Sequence, residues 1–377
     1  MTRVHTPQAS RNILLAVTGL NPQIVTETLY ALAVKRAGGP IPDEIHVLTT
    51  SEGAERVRLT LLSKEPGWFY RLCRDYQLPP IQFGVESIHV IAGSAGPLED
   101  IRTPQENEQM ADFIAEKLRY FTRDPDSALH VSIAGGRKTM GFYLGYALSL
   151  YGRKQDRLSH VLVSAPYENN RDFFYPTPEE HVITAADPKQ RPLDAAKAEV
   201  TLAEIPFVRL RANLPQRMRE ETFSFSEVVS AAQAWERPPL LELNLAEGSI
   251  VAGGEVVKLS DTEFAVYSWL AQRVVQGLPP IHPDADEKHL AAKDFIAHYA
   301  SYANEMSGRF AHTKKTLNCG GMEQNYLSGR KTQINKKLRN ALGETTAEPY
   351  LIQAFGERLK TSYGLGLKSE AVVVKRF

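Results

Sequence analysis

Short apolar runs and longer amphipathic stretches alternate through the first half of the chain. Asn12–Val17 (NILLAV) is a continuous apolar run ending at Thr18-Gly19, the pattern of a strand buried on both faces. From Gln23 the period lengthens, and Ile24, Val25, Leu29, Leu32 and Ala33 fall on one helical face. Glu44–Thr49 predicts a second strand, Glu52–Leu62 a helix with Val57 and Leu61 one turn apart, and Ser87–Ile91 a third strand. Thr103-Pro104 is a helix start, a capping hydroxyl followed by proline at the first helical position. Met110, Phe113, Ile114, Leu118 and Phe121 lie along that helix. The cycle then repeats as a strand at Leu129–Ile133, a Gly135-Gly136 turn, a helix from Lys138 and a strand at His160–Val163. This alternation predicts a doubly wound α/β domain with a mostly parallel sheet over residues 1–215, followed by a connecting helix or linker over 216–239.

Beyond Pro238-Pro239 the pattern changes. Leu241–Leu245 alternates as a short strand, and Gly248, Gly253 and Gly254 mark turns. Ser260 with Glu263 three residues on is a capping box, and Phe264, Tyr267, Leu270 and Val274 follow at helical spacing. Gly329–Gly343 reads as a basic amphipathic helix with Ile334, Leu338, Ala341 and Leu342 on its apolar side. The tail, Tyr350–Ile352, Leu359, Tyr363–Leu367 and Val372–Val374, suits a β wing. Residues 240–377 are therefore expected to form a winged helix-turn-helix domain.

Overall charge is uninformative, since Lys+Arg and Asp+Glu both number 44, but its distribution is not. Residues 305–377 carry 13 basic and 6 acidic side chains, so the rest of the chain is acidic by the same margin. A basic recognition helix is an electrostatic footprint for nucleic acid, with Arg330, Lys331, Lys336, Lys337 and Arg339 as its candidate contacts. The same helix also suits the solvated face of a protein-binding or dimerisation module. Two distant cysteines, Cys73 and Cys319, fit a reducing cytoplasm. No apolar run reaches the ~20 residues of a membrane helix. Met1–Arg11 lacks the apolar region of a signal peptide. A cytoplasmic protein without membrane partners is expected.

Two loops follow strands of the predicted sheet, where open α/β sheets bind ligands. One is Thr18–Gln23, in which Thr18, Gly19, Asn21 and Gln23 offer backbone approach and hydrogen bonds. The other is Gly135-Gly136-Arg137-Lys138-Thr139, at a helix start that favours an anion. Phosphate suits this pairing better than an apolar substrate, although ordinary βα turns with solvated basic residues have the same composition. Neither loop is a P-loop or a dinucleotide fingerprint, which disfavours an ATPase or a dehydrogenase. The four histidines between His282 and His312 lack metal-ligand spacing, and no metal or cofactor is expected.

Thr18–Leu32, Asp100–Asp112 and Ser132–Gly152 together resemble the CRISPR-associated sensor family with an N-terminal CARF domain, of the ring-nuclease type. The resemblance implies a Rossmann-like domain that pairs as a two-fold homodimer. Such dimers bind cyclic oligoadenylate, most often the tetra-adenylate, across the interface, and ring nucleases among them linearise it, ending type III CRISPR signalling. Lys138 matches the lysine implicated in ring cleavage. Asn21 stands where a small hydroxyl residue often precedes the proline, and is the second candidate catalytic residue. Arg102 and Thr50 join the ligand-binding candidates. Effectors of this family often carry an RNA-cutting domain marked by R-x4–6-H. Arg123 and His130 meet that spacing, but inside the sensor domain, where the match is read as chance. Two functions stay open: a metal-independent ring nuclease, and a ring-gated DNA-binding regulator. Lys138 also suits phosphate binding without cleavage.

Overall fold

The computed structural model describes residues 11–375 except 37–38, 95, 169, 284–286, 304–306 and 357–360. The N-terminal residues before Arg11, and Leu359 of the expected wing, lie outside the described residues. The chain divides into two compact units. The first runs to Arg211 and takes in Thr222–Val228; the second comprises Ala212–Glu221 and everything from Val229 on.

The first unit contains β1 (Arg11–Val17), α1 (Gln23–Ala33), β2 (Glu44–Thr49), α2 (Ser51–Leu61), α3 (Trp68–Asp75), β3 (Ile88–Val90), α4 (Pro104–Phe121), β4 (Ser127–Ser132), α5 (Lys138–Tyr151), β5 (Arg157–Val163) and β6 (Val200–Glu204). Their sheet has the order β6-β5-β4-β1-β2-β3, parallel throughout except for β6, which runs antiparallel to β5. Central β1 has Leu14 opposite Ile45 on one side and His130 on the other. Its residues Leu14 to Val17 are fully buried, which is why the run is apolar without alternation. Leu14 and Ala16 join Val25, Leu29, Val57 and Phe69 of α1–α3 in one core. Ile13, Leu15 and Val17 point to the opposite face, since strand side chains alternate, and α4 and α5 pack side by side there.

The mostly parallel α/β sheet expected from the sequence is present. Helix α4 begins at the predicted cap: the Thr103 hydroxyl accepts from Glu106 N, and the Glu106 carboxylate accepts from Thr103 N. Two of the first-unit elements named above were not predicted. Strand β6 is a five-residue edge that exists through pairing with β5, and α3 is an eight-residue helix set by packing of Phe69 and Leu72. Thr222–Val228 is tied into this unit, with Phe225 N donating to Asp112 at 2.7 Å and its ring edge-on to Tyr143 and Tyr146.

The second unit contains β7 (Leu241–Asn244), β8 (Ser249–Ala252), β9 (Glu255–Val257), α6 (Asp261–Val275), α7 (Lys288–Ala300), α8 (Gly308–Gly320), α9 (Gln324–Leu342), β10 (Ile352–Phe355), β11 (Ser362–Leu365) and β12 (Val372–Lys375). The core is aromatic, with Phe264, Tyr267, Trp269, Phe295 and Phe310 all buried. The basic helix starts at Gln324, five residues before the expected Gly329, because Leu327 extends the stripe of Ile334 and Leu338. Strands β10 and β11 form an antiparallel hairpin after it. Val372–Val374, expected in the wing, instead pairs in parallel with β7 in the sheet β9-β8-β7-β12. That edge of β7 was open, and a strand of alternating burial closes it.

Candidate functional site

The strand order reverses between β1 and β4, and the loops that follow these two strands meet there. Open α/β sheets place their binding crevice at this switch point. The approach is close: a Cβ on Gly19 would lie 3.6 Å from Gly136 Cα. One on Gly135 would lie 2.7 Å from the Val17 carbonyl oxygen and 2.8 Å from Ile24 Cγ1, so only glycine fits. Gly136 has φ of +76°, which favours glycine independently.

A cavity of about 240 Å³ opens at this junction. Its walls are Gly19, Leu20, Asn21, Gln23, Ile24 and Glu27 from the first loop and α1, Ala134–Gly136 from the second loop, and His160–Val163 of β5 with Glu168 and Asn170 beyond it. Of the sequence candidates, Gly19, Asn21, Gln23, Gly135 and Gly136 line the cavity. Thr18 does not: it is fully buried, and its hydroxyl donates to the Asn21 carbonyl at 3.0 Å, fixing the loop. Thr50 is the N-cap of α2, accepting from Gly53 N, and lies outside the cavity wall.

Arg137, Lys138 and Thr139 are exposed at the start of α5, whose first turn holds no acid. Arg137 is clamped by Asp100, with Nε to Oδ1 at 2.7 Å and a second bond from Nη2. Arg102 reaches the same carboxylate, Nε to Oδ2 at 3.3 Å. These bonds, that to Arg137 first, hold the Asp100 carboxyl far below the usual range. Lys138 has no acid partner among the described residues. The positive end of α5 therefore presents one uncommitted ammonium beside backbone N–H groups, a favourable place for a phosphate.

Two wall residues were missed by sequence reasoning. Glu27 is only 9% exposed, and burial pushes its carboxyl up from 4.5 to about 8. Its signal was an acid within the otherwise apolar QIVTETLYALA, four residues after Gln23. His160, half-buried on β5, carried no comparable signal. Gln23 Nε2 donates to the Arg171 carbonyl at 3.1 Å, while its buried Oε1 has no partner. His130 is half-buried in β4 with its Nε2 2.7 Å from Ser159 Oγ, and desolvation lowers it to about 4.

In the second unit, Lys331, Lys336 and Arg339 line one groove along α9. Lys337 pairs instead with Glu263 of the α6 capping box, and Arg339 with Glu344 at 2.9 Å. Arg330 lies 5.4 Å over the Tyr326 ring. A larger cavity, about 550 Å³, lies between α6 and α7. Its polar groups largely satisfy one another: Trp269 Nε1 and Arg273 Nη1 both donate to Asp294, and His298 Nε2 is 2.9 Å from Ser268 Oγ. Among the described residues, no helix is long and apolar enough to cross a membrane, and no cluster of three or more His, Cys, Asp or Glu could hold a metal.

The sequence profile of a family described as CRISPR-associated protein NE0113 matches residues 21–238, more than half of the chain. The chain belongs to this CRISPR-associated family, as the loop segments led us to expect. A solved structure, Enterococcus italicus Csm6 bound to cyclic hexa-2'-fluoro-hexa-dAMP, is similar with a TM-score of 0.28 and 12% identity. The match covers 87% of this chain and 58% of that one, so the chain spans less than two thirds of its length. A comparison with curated proteins finds no match.

Proposed function

We propose that this protein is a CARF-type sensor that binds cyclic oligoadenylate, cyclic tetra-adenylate first, as a homodimer and linearises it without a metal or cofactor. The observation that carries the reading is the junction of the two glycine loops beside the uncommitted Lys138 at the start of α5. A two-fold dimer would present this patch twice to a symmetric ring.

The ring carries its own nucleophile, the ribose 2′-OH. Attack on the adjacent phosphorus forms the O2′–P bond and breaks the P–O5′ bond, leaving a 2′,3′-cyclic phosphate and a 5′-hydroxyl. Holding the 2′-oxygen in line with the leaving oxygen supplies much of the acceleration, about 7–11 kcal/mol in favourable systems. Lys138 and the N–H groups of Gly135 and Gly136 would neutralise charge developing on the phosphoryl oxygens. Asn21, on the cavity wall, would position the ribose. Arg137 and Arg102, sharing one carboxylate, would shape the rim.

The test is incubation with cyclic tetra-adenylate in EDTA, followed by mass-resolved chromatography, with Lys138→Ala alongside. Linear adenylates from the wild type, reduced roughly 100-fold or more in the variant, are expected. Tight binding with no product over hours would overturn cleavage and leave a sensor.

A second reading is favoured by the α9 groove with the β10–β11 hairpin behind it. In that reading the second unit is a winged helix whose DNA binding is gated by the ring. Coupling would then be reciprocal, with DNA changing ring affinity by the factor that the ring changes DNA affinity.

A further inference from the structure

We infer that the Glu27 side chain reads the amino edge of one adenine base inserted into the cavity at the strand ends. This rests on the ring-binding reading and goes beyond it by naming the group that selects the base.

Size and charge divide the labour. At about 240 Å³ the cavity falls below the roughly 300–1,000 Å³ of pockets that take drug-sized ligands, so it suits a single base rather than a ring. Its ionisable walls are Glu27, His160 and Glu168, whereas Arg137 and Lys138 stand outside. Phosphates find no lysine or arginine in the interior and are drawn to the cations at the rim. A neutral heterocycle enters.

The Glu27 carboxyl has no hydrogen-bond or ion-pair partner among the described residues. An ionised carboxylate left alone in a buried position is costly, and keeping the proton relieves that cost. The acid then offers one donor and one acceptor side by side. Adenine offers the complement, a ring nitrogen acceptor next to its amino donor. Gln23, one turn earlier on α1, has its Oε1 buried and unpartnered, an acceptor for the second amino hydrogen. Once ionised, Glu27 loses its donor and faces the ring nitrogen lone pair.

Other titratable groups around α1 are His160 on β5, Glu168 after it, Tyr76 beyond α3 against Tyr30, Glu199 just before β6 and Glu204 at its end. None of them is a cause of the Glu27 shift, which comes from burial alone.

The experiment measures affinity for cyclic tetra-adenylate from pH 6 to about 9.5, in EDTA and faster than turnover. Wild type, Glu27→Gln and Glu27→Ala are compared, each checked for folding by circular dichroism. Wild-type affinity should hold to neutral pH and fall toward about tenfold per pH unit above the Glu27 range. Glu27→Gln keeps a donor and an acceptor and should lose that alkaline fall while binding within several-fold of wild type at neutral pH. Glu27→Ala should bind about tenfold or more weakly. It should also lose the wild type's preference for adenine over a ring of purine riboside, which lacks the amine. The same alkaline profile in wild type and Glu27→Gln would overturn the inference while leaving ring binding intact. Absence of wild-type binding at every pH would sink the ring reading and this inference together. Should Glu27→Ala fail to fold, the Glu27→Gln profile decides alone.

Discussion

Glu27 shows how burial turns an ordinary side chain into an unusual one. No charged group among the described residues stabilises its ionised form, so the folded protein holds a proton that the unfolded chain releases near 4.5. Below that range both states are protonated. Between 4.5 and about 8 only the folded state keeps the proton, so this residue's contribution to stability falls as pH rises through the window. Glu27→Gln removes the titration. Urea unfolding at pH 5 and pH 8.5 should show the variant gaining on wild type at the higher pH. An equal difference at both pH values would show that the carboxyl ionises normally. Neighbouring groups cancel in the comparison because they are common to both proteins. Lys138 and Arg137 make the opposite point: adjacent cations at one helix start, one without an acid partner among the described residues and one held by Asp100. Sequence ranked them by motif, but the acid that distinguishes them lies 37 residues away and reaches the loop only through the fold.

At the scale of elements, local chemistry set most boundaries. The Thr103–Glu106 capping box starts α4 where the sequence places it, and Thr103→Ala should cost about 1 kcal/mol, read as a shift in urea midpoint with unchanged slope. A loss much below that would mean the first turn is held by packing alone. The buried run of β1 and the box at Ser260–Glu263 were equally legible. By contrast, β6 and β12 are short edge strands whose partners lie far along the chain or in a different segment. Their patterns resemble loops until a partner is known, and the physical content of such a strand is its pairing. The same applies to α3, too short for periodicity to stand out.

Across the whole molecule, the basic character of the C-terminal stretch is partly spent inside its own unit. Lys337 serves the α6 cap and Arg339 the Glu344 carboxylate, leaving Lys331 and Lys336 without acid partners among the described residues. If this unit binds DNA, Lys331→Ala and Lys336→Ala should each weaken binding at low salt and reduce the salt slope by about 1. Lys337→Ala should chiefly lower stability. Binding that is independent of salt, or unchanged in both variants, would remove the regulator reading and direct attention to a protein partner. A filter-binding titration at several salt concentrations distinguishes these results.

Hydrophobic period, caps and glycine turns were sufficient to determine the α/β class, the mostly parallel sheet and the two polar loops, while the CRISPR-associated family was legible only as a resemblance carried by three segments. These features are written in neighbouring residues and act over one or two turns of chain. Tertiary structure decided which residues face a cavity and which hold the scaffold. It buried Thr18 and Thr50 away from the cavity, tied Arg137 to Asp100, left Lys138 without an acid partner among the described residues, and brought Glu27 and His160 to one wall. Burial, close backbone approach and ion pairing depend on distance in space, and residues remote in sequence supply every one of them here.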